Sequence, residues 1–131
     1  MSDKFDINIC VMVLSTNIPL NKRYILSTDS DKINIPQFLL NKENYSNINE
    51  TIYDYLSKNL VVSPIELRPS LLSINSSNLP AEFKKDNTLN ILYGSVIVHT
   101  DNINGLFWHE FDLLKPIEYS NLIFEVVQNL S

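Results

Sequence analysis

"DKINIPQFLLNKENYSNINETIYDYLSKNLVVSP", residues 31–64, joins an extended apolar segment to an amphipathic helix through a polar loop. Pro36 restrains INIPQFLL (33–40) to extended backbone, and NKENYSN (41–47) has the composition of a loop. Residues 47–62 then predict a helix. Ile48, Ile52, Tyr55, Leu56 and Leu60 fall on one helical face and form an apolar stripe. Ser46 or Asn47 can cap the exposed N–H groups, Glu50 sits near the positive helix end, and Pro64 stops the helix.

Upstream, FDINICVMVLS (5–15) reads as a buried strand, and RYILST (23–28) as a second strand folded back on it through the turn residues NIPLNKR. Downstream, IELRPSLLSI (65–74) predicts a strand and NSSNLPAEFKKDNT (75–88) a long loop. LNILYGSVIVHT (89–100) is the strongest strand pattern, with Gly94 as a bulge or close-packing point. LFWHEFDLL (106–114) begins as a strand. PIEYSNLIFEVVQNL (116–130) predicts a helix opened by Pro116, with Ile117, Leu122, Ile123, Val126, Val127 and Leu130 on its apolar side. The expected class is α+β, an α/β/α sandwich in which helices at about 47–62 and 116–130 flank a mixed sheet. At 131 residues the chain is expected to form one domain, 1–131.

Composition excludes several functions. With only Gly94 and Gly105, no glycine-rich phosphate loop exists. A net charge of −5 and separated basic pairs, Lys22–Arg23 and Lys84–Lys85, disfavour nucleic acid as a partner, because that affinity comes from Lys and Arg neutralising phosphates. Cys10, the single cysteine, lies in an apolar run and is expected to be core filler rather than a nucleophile. The N-terminus lacks a basic leader, and no stretch reaches the length of a membrane span, so a soluble cytoplasmic protein is expected. Abundant Asn, Ile and Lys suggest an AT-rich genome, as some viruses and bacteria have, which for a viral protein extends the expected location to host cytoplasm or virion.

An opening hairpin, a Pro-containing extended segment, a loop and helix, three more strands and a C-terminal helix together resemble the Nudix fold over nearly the whole chain. INIPQFLL is similar to the family's extended segment ending in Pro-Gly-Gly, and LFWHEFDLLKP (106–116) to its late strand with a Trp and an acidic, Leu-rich turn. The resemblance implies a helix carrying Mg²⁺ or Mn²⁺ on glutamates. The family motif runs Gly, five residues, Glu, seven residues, Arg-Glu-apolar-any-Glu-Glu-any-Gly-apolar. A hard divalent cation shared with a pyrophosphate needs several carboxylates on one face.

The motif's apolar position must fall on the buried stripe. With Tyr55 there, the Arg-Glu pair becomes Tyr53 and Asp54, and the Glu-Glu pair Ser57 and Lys58. With Leu56 there, Tyr55, Lys58 and Asn59 replace the glutamates; with Ile52 there, Asp54 alone survives. No register keeps more than one carboxylate, and PQF stands in place of Pro-Gly-Gly. The expected function is therefore a catalytically inactive Nudix-like domain acting as a binding or assembly module, without a cofactor.

Its expected partner is a protein or a second copy of the chain, with a nucleotide-like ligand ranked below. Under the resemblance, Trp108 and Glu110 are the candidate nucleotide contacts and Glu50 with Asp54, four apart on one helix face, the candidate metal pair. Phe107 and Phe111 are expected in the core. Two alternatives stand beside this reading. One is a metal-dependent hydrolase of nucleoside diphosphate derivatives with relocated ligands at Glu43, Glu50, Asp54 and Glu110. The other is an unrelated α+β structural protein. A metal site built from His99 and His109 has no supporting spacing.

Overall fold

One strand, buried on both faces, organises the molecule. In the computed structural model, which describes residues 6–17, 19–41, 43, 46–57, 67–98, 105–112, 114–115 and 117–130, β1 spans Asp6–Asn17 and residues 8–15 of it are all buried. Its β-branched and apolar run suits a strand covered from both sides. β5 (Thr88–Val98) pairs with it in parallel along one edge, from Asp6 opposite Thr88 to Thr16 opposite Val98. The other edge is shared end to end. β2 (Lys22–Ser27) pairs antiparallel with residues 14–17 of β1, whereas β3 (Gln37–Leu39) pairs antiparallel with residues 8–10. Adding β4 (Ser70–Ile74) outside β5 and β6 (Phe107–Phe111) outside β2 gives a mixed six-stranded sheet of order β4-β5-β1-β2-β6, with β3 off that path.

Strand alternation sorts the apolar residues into two layers. Ile9, Val11 and Val13 point to the side of α1 (Ile48–Ser57) and pack with its Ile52 and Leu56, with Leu26 and Tyr93 beside them. Cys10, Met12 and Leu14 point to the opposite side and pack with Leu122, Ile123 and Val126 of α2 (Ser120–Leu130). The α/β/α sandwich is the arrangement the sequence predicts. In the hairpin's turn Leu20 N–H donates to Asn17 Oδ1 at 3.3 Å and Asn21 adopts a left-handed φ of 51°, a conformation Asn tolerates better than most residues.

Several boundaries differ from the sequence expectation. α2 begins at Ser120 rather than at residue 116, because Ile117 N–H donates to Ser120 Oγ at 2.7 Å while Ser120 N–H donates to Ile117 O, closing a separate turn. Residue 116 itself lies outside the described residues, as do residues 58–66, so α1 is described only to Ser57. The strand expected from 65 starts at Ser70: Arg68 has a φ of 33° and Pro69 has no N–H to donate to a ladder. Residues 75–88 are not bare loop. They contain a 3-10 turn, Ala81–Phe83, and bury Leu79 and Phe83 in the α2-side core.

Gly94 is a close-packing point. A Cβ there would lie 2.6 Å from Leu72 Cδ1 and 3.0 Å from Val126 Cγ1, so the glycine lets β4 and α2 approach β5. Phe107 departs from the core expectation, being 39% exposed on the edge strand of the sheet, whereas Phe111 packs against the α2-side core. On α2, Val127 is 41% exposed although it belongs to the predicted apolar side.

Candidate functional site

Helix α1 follows Asn47, whose carbonyl accepts the first helical hydrogen bond, from Thr51 N–H at 3.0 Å. Burying Ile52 and Leu56 turns Glu50 and Asp54 outward, since residues two away lie on the far side of a 3.6-residue turn. Tyr55 leans over Phe38 of β3 with ring centroids 4.8 Å apart, and its hydroxyl donates to Gln37 O at 3.4 Å. On the other flank, Asn49 Nδ2 donates to Pro69 O at 3.2 Å and ties the helix to the chain that leads into β4.

A cavity of about 620 Å³ opens between this flank of α1 and residues 68–70, lined by Glu50, Tyr53, Asp54 and Arg68. The structure thus brings the two candidate carboxylates together and adds a guanidinium that sequence reasoning did not connect with them. Arg68 forms no ion pair with either carboxylate among the described residues. The left-handed turn at Arg68 places it here, and its distance along the sequence from Glu50 hid the association.

Trp108 and Glu110 lie elsewhere. Trp108 pairs opposite Leu26 in the sheet and packs, half-buried, on the α1-side core. Glu110 is exposed at the β2–β6 end, where Lys22 Nζ reaches its Oε1 at 3.5 Å. It lines a second cavity of about 680 Å³ together with Arg23, Phe111 and Lys115. His109 Nε2 lies 2.7 Å from Asp29 O, so this ring serves the loop after β2. His99 lies outside the described residues. Cys10 is buried, as expected, and burial pushes its thiol up to about 12, which keeps it protonated.

Sequence reasoning missed a carboxylate held by three side-chain donors. Glu125 of α2 accepts hydrogen bonds from Ser73 Oγ at 2.7 Å, Ser76 Oγ at 2.6 Å and Asn78 Nδ2 at 2.8 Å. Burial alone would raise its pKa, but the donors Ser76, Ser73 and Asn78 favour the charged form and hold it below its ordinary value. These donors lie far from Glu125 in sequence, Ser73 in a segment that reads as strand and Ser76 and Asn78 in one that reads as polar loop.

Two solved structures superpose on nearly the whole of this chain. A MutT/nudix family protein from Enterococcus faecalis superposes with a TM-score of 0.61 at 11% identity, covering 99% of this chain and 63% of that protein. The NUDIX domain of Shewanella oneidensis NrtR, complexed with ADP ribose, superposes with a TM-score of 0.63 at 11% identity, covering 100% of this chain and 91% of that domain. The fold is a Nudix fold. No protein-family model and no curated protein matches the sequence.

The Nudix resemblance implies a divalent cation beside this helix, and the described residues there do not fit one. Glu50 and Asp54 share their cavity with a cationic guanidinium, Glu110 lines a different cavity, and no group of three His, Cys, Asp or Glu among the described residues could hold a metal ion. No helix among the described residues is long and apolar enough to cross a membrane.

Proposed function

We propose that residues 1–131 act as a single, catalytically inactive Nudix-like domain, a cytoplasmic binding or assembly module working through contacts with a protein partner or a second copy. The observation that carries this reading is helix α1, which keeps its packing through Ile52 and Leu56 while presenting only Glu50 and Asp54, beside Arg68, where a pyrophosphate-bound cation would need more carboxylates. Exposed apolar side chains support the protein-contact part. β4 is an edge strand with Leu71 and Ile74 each 55% exposed, and the neighbouring α2 exposes Phe124 and Val127.

Incubating the protein with a pool of nucleoside diphosphate derivatives and Mg²⁺ or Mn²⁺, then quantifying each compound by mass spectrometry, tests the inactive reading. No metal-dependent loss of any compound is the expected result. Turnover that disappears in Glu50→Gln or Asp54→Asn would overturn it in favour of a hydrolase with relocated ligands.

A further inference from the structure

We propose that the cavity between the β2–β6 end of the sheet and the turn before α2 binds a small organic anion, a carboxylate or phosphate carried on an apolar or aromatic body. The inference goes beyond the protein-contact reading and does not depend on it. The cavity, about 680 Å³, lies within the size range of small-molecule sites, and its lining includes Lys22, Arg23 and Lys115, three of the ten basic residues in an acidic chain. In sequence Lys115 is remote from the Lys22–Arg23 pair; the pairing of β2 with β6 brings them to one place.

The charges there do not cancel. Lys22 is engaged by Glu110 at 3.5 Å, and Asp112 Oδ1 accepts the Leu114 N–H at 2.9 Å within its own turn. Arg23 and Lys115 take part in no ion pair among the described residues. The lining thus carries three cations and two carboxylates, Glu110 and Asp112, a net charge of +1. Arg23 stands directly opposite Phe111 in the β2–β6 register, so both side chains project from the α2 side of the sheet. Phe111 and Ile117, half-buried against the α2-side core, line the same cavity.

A guanidinium and an ammonium beside an aromatic and an aliphatic surface suit an anionic head joined to an apolar body. The head gains charge-assisted hydrogen bonds while the body covers Phe111 and Ile117. None of the residues described as lining this cavity lines the one beside α1.

The test is a titration of ¹⁵N-labelled protein with phenyl phosphate, benzoate, inorganic phosphate and phenol, followed by amide shifts. Phenyl phosphate or benzoate is expected to move the amides of Arg23, Phe111 and Lys115 and to bind about tenfold more tightly than inorganic phosphate or phenol, with the tighter of the two identifying the head group. Arg23→Gln and Lys115→Gln should each weaken that binding by about tenfold, Lys85→Gln should leave it unchanged, and added salt should weaken it. Both side chains are exposed, so the variants are expected to keep the parent's dispersed spectrum. Equal affinity in the parent and the Arg23→Gln/Lys115→Gln double variant would overturn the proposal, as would shifts confined to the α1 cavity. Binding of an Asp-Phe-Asp peptide with none of the small anions would also overturn it, assigning the cavity to a protein partner.

Discussion

The two helices carry their carboxylates in opposite ways. On α1, Glu50 and Asp54 face solvent in an open cavity. On α2, Glu125 is held by Ser73, Ser76 and Asn78 and bridges the helix to β4 and to the segment after it. The first pair lies where the Nudix resemblance directs attention, while the second residue is the one the fold uses. A carboxylate's contribution follows from the donors brought to it in three dimensions, and neither helical position nor family motif supplies those donors.

Both helices are anchored by fully buried leucines, so the comparison meets its largest effects there. Leu56→Ala on α1 and Leu122→Ala on α2 are each expected to cost about 3 kcal/mol in urea unfolding, and a clearly smaller loss at Leu56 would show that α1 is the more loosely held helix. Gly94→Ala is expected to cost about 2 kcal/mol, since the added methyl meets Leu72 and Val126, and to act on the α2 side alone. Leu72→Ala in the same chain should recover part of that loss if the clash is its cause.

Glu125→Gln should cost about 1 kcal/mol near neutral pH, through three weakened hydrogen bonds at a half-buried site. The sign of its pH dependence follows from the lowered pKa. Its stabilisation is fully present above the unfolded value, near 4.5, and is lost as pH falls through the lower folded value. The parent should therefore lose stability more steeply than the Gln variant below about pH 4.5, and identical acid profiles would show that the network contributes nothing. The smallest effect is expected on α1, where Glu50→Gln and Asp54→Asn should each change stability by no more than about 0.5 kcal/mol.

Much of the fold was legible before any coordinates. The unbroken run from Ile9 to Leu14 signals a strand covered on both faces, and the spacing of Ile52 and Leu56 signals a helix lying on one of them. Ends of elements were less legible. Whether residue 116 or Ser120 opens α2 depends on the reciprocal hydrogen bonds between Ile117 and Ser120, and whether a strand begins at 65 or at Ser70 depends on the turn at Arg68. Phe107 and Val127 look like core residues in a periodic pattern, yet the packing of the described residues leaves both partly exposed.

The sequence by itself determined the two-layer core, the order of strands and helices, the burial of Cys10 and the poverty of carboxylates on α1, because periodicity and residue identity are local properties. Tertiary structure alone decided that Arg68 joins Glu50 and Asp54, that Ser73, Ser76 and Asn78 converge on Glu125, and that Lys115 meets Arg23. Each of those groupings joins segments far apart in the chain, and the strand pairing and helix packing that bring them together depend on the whole fold at once.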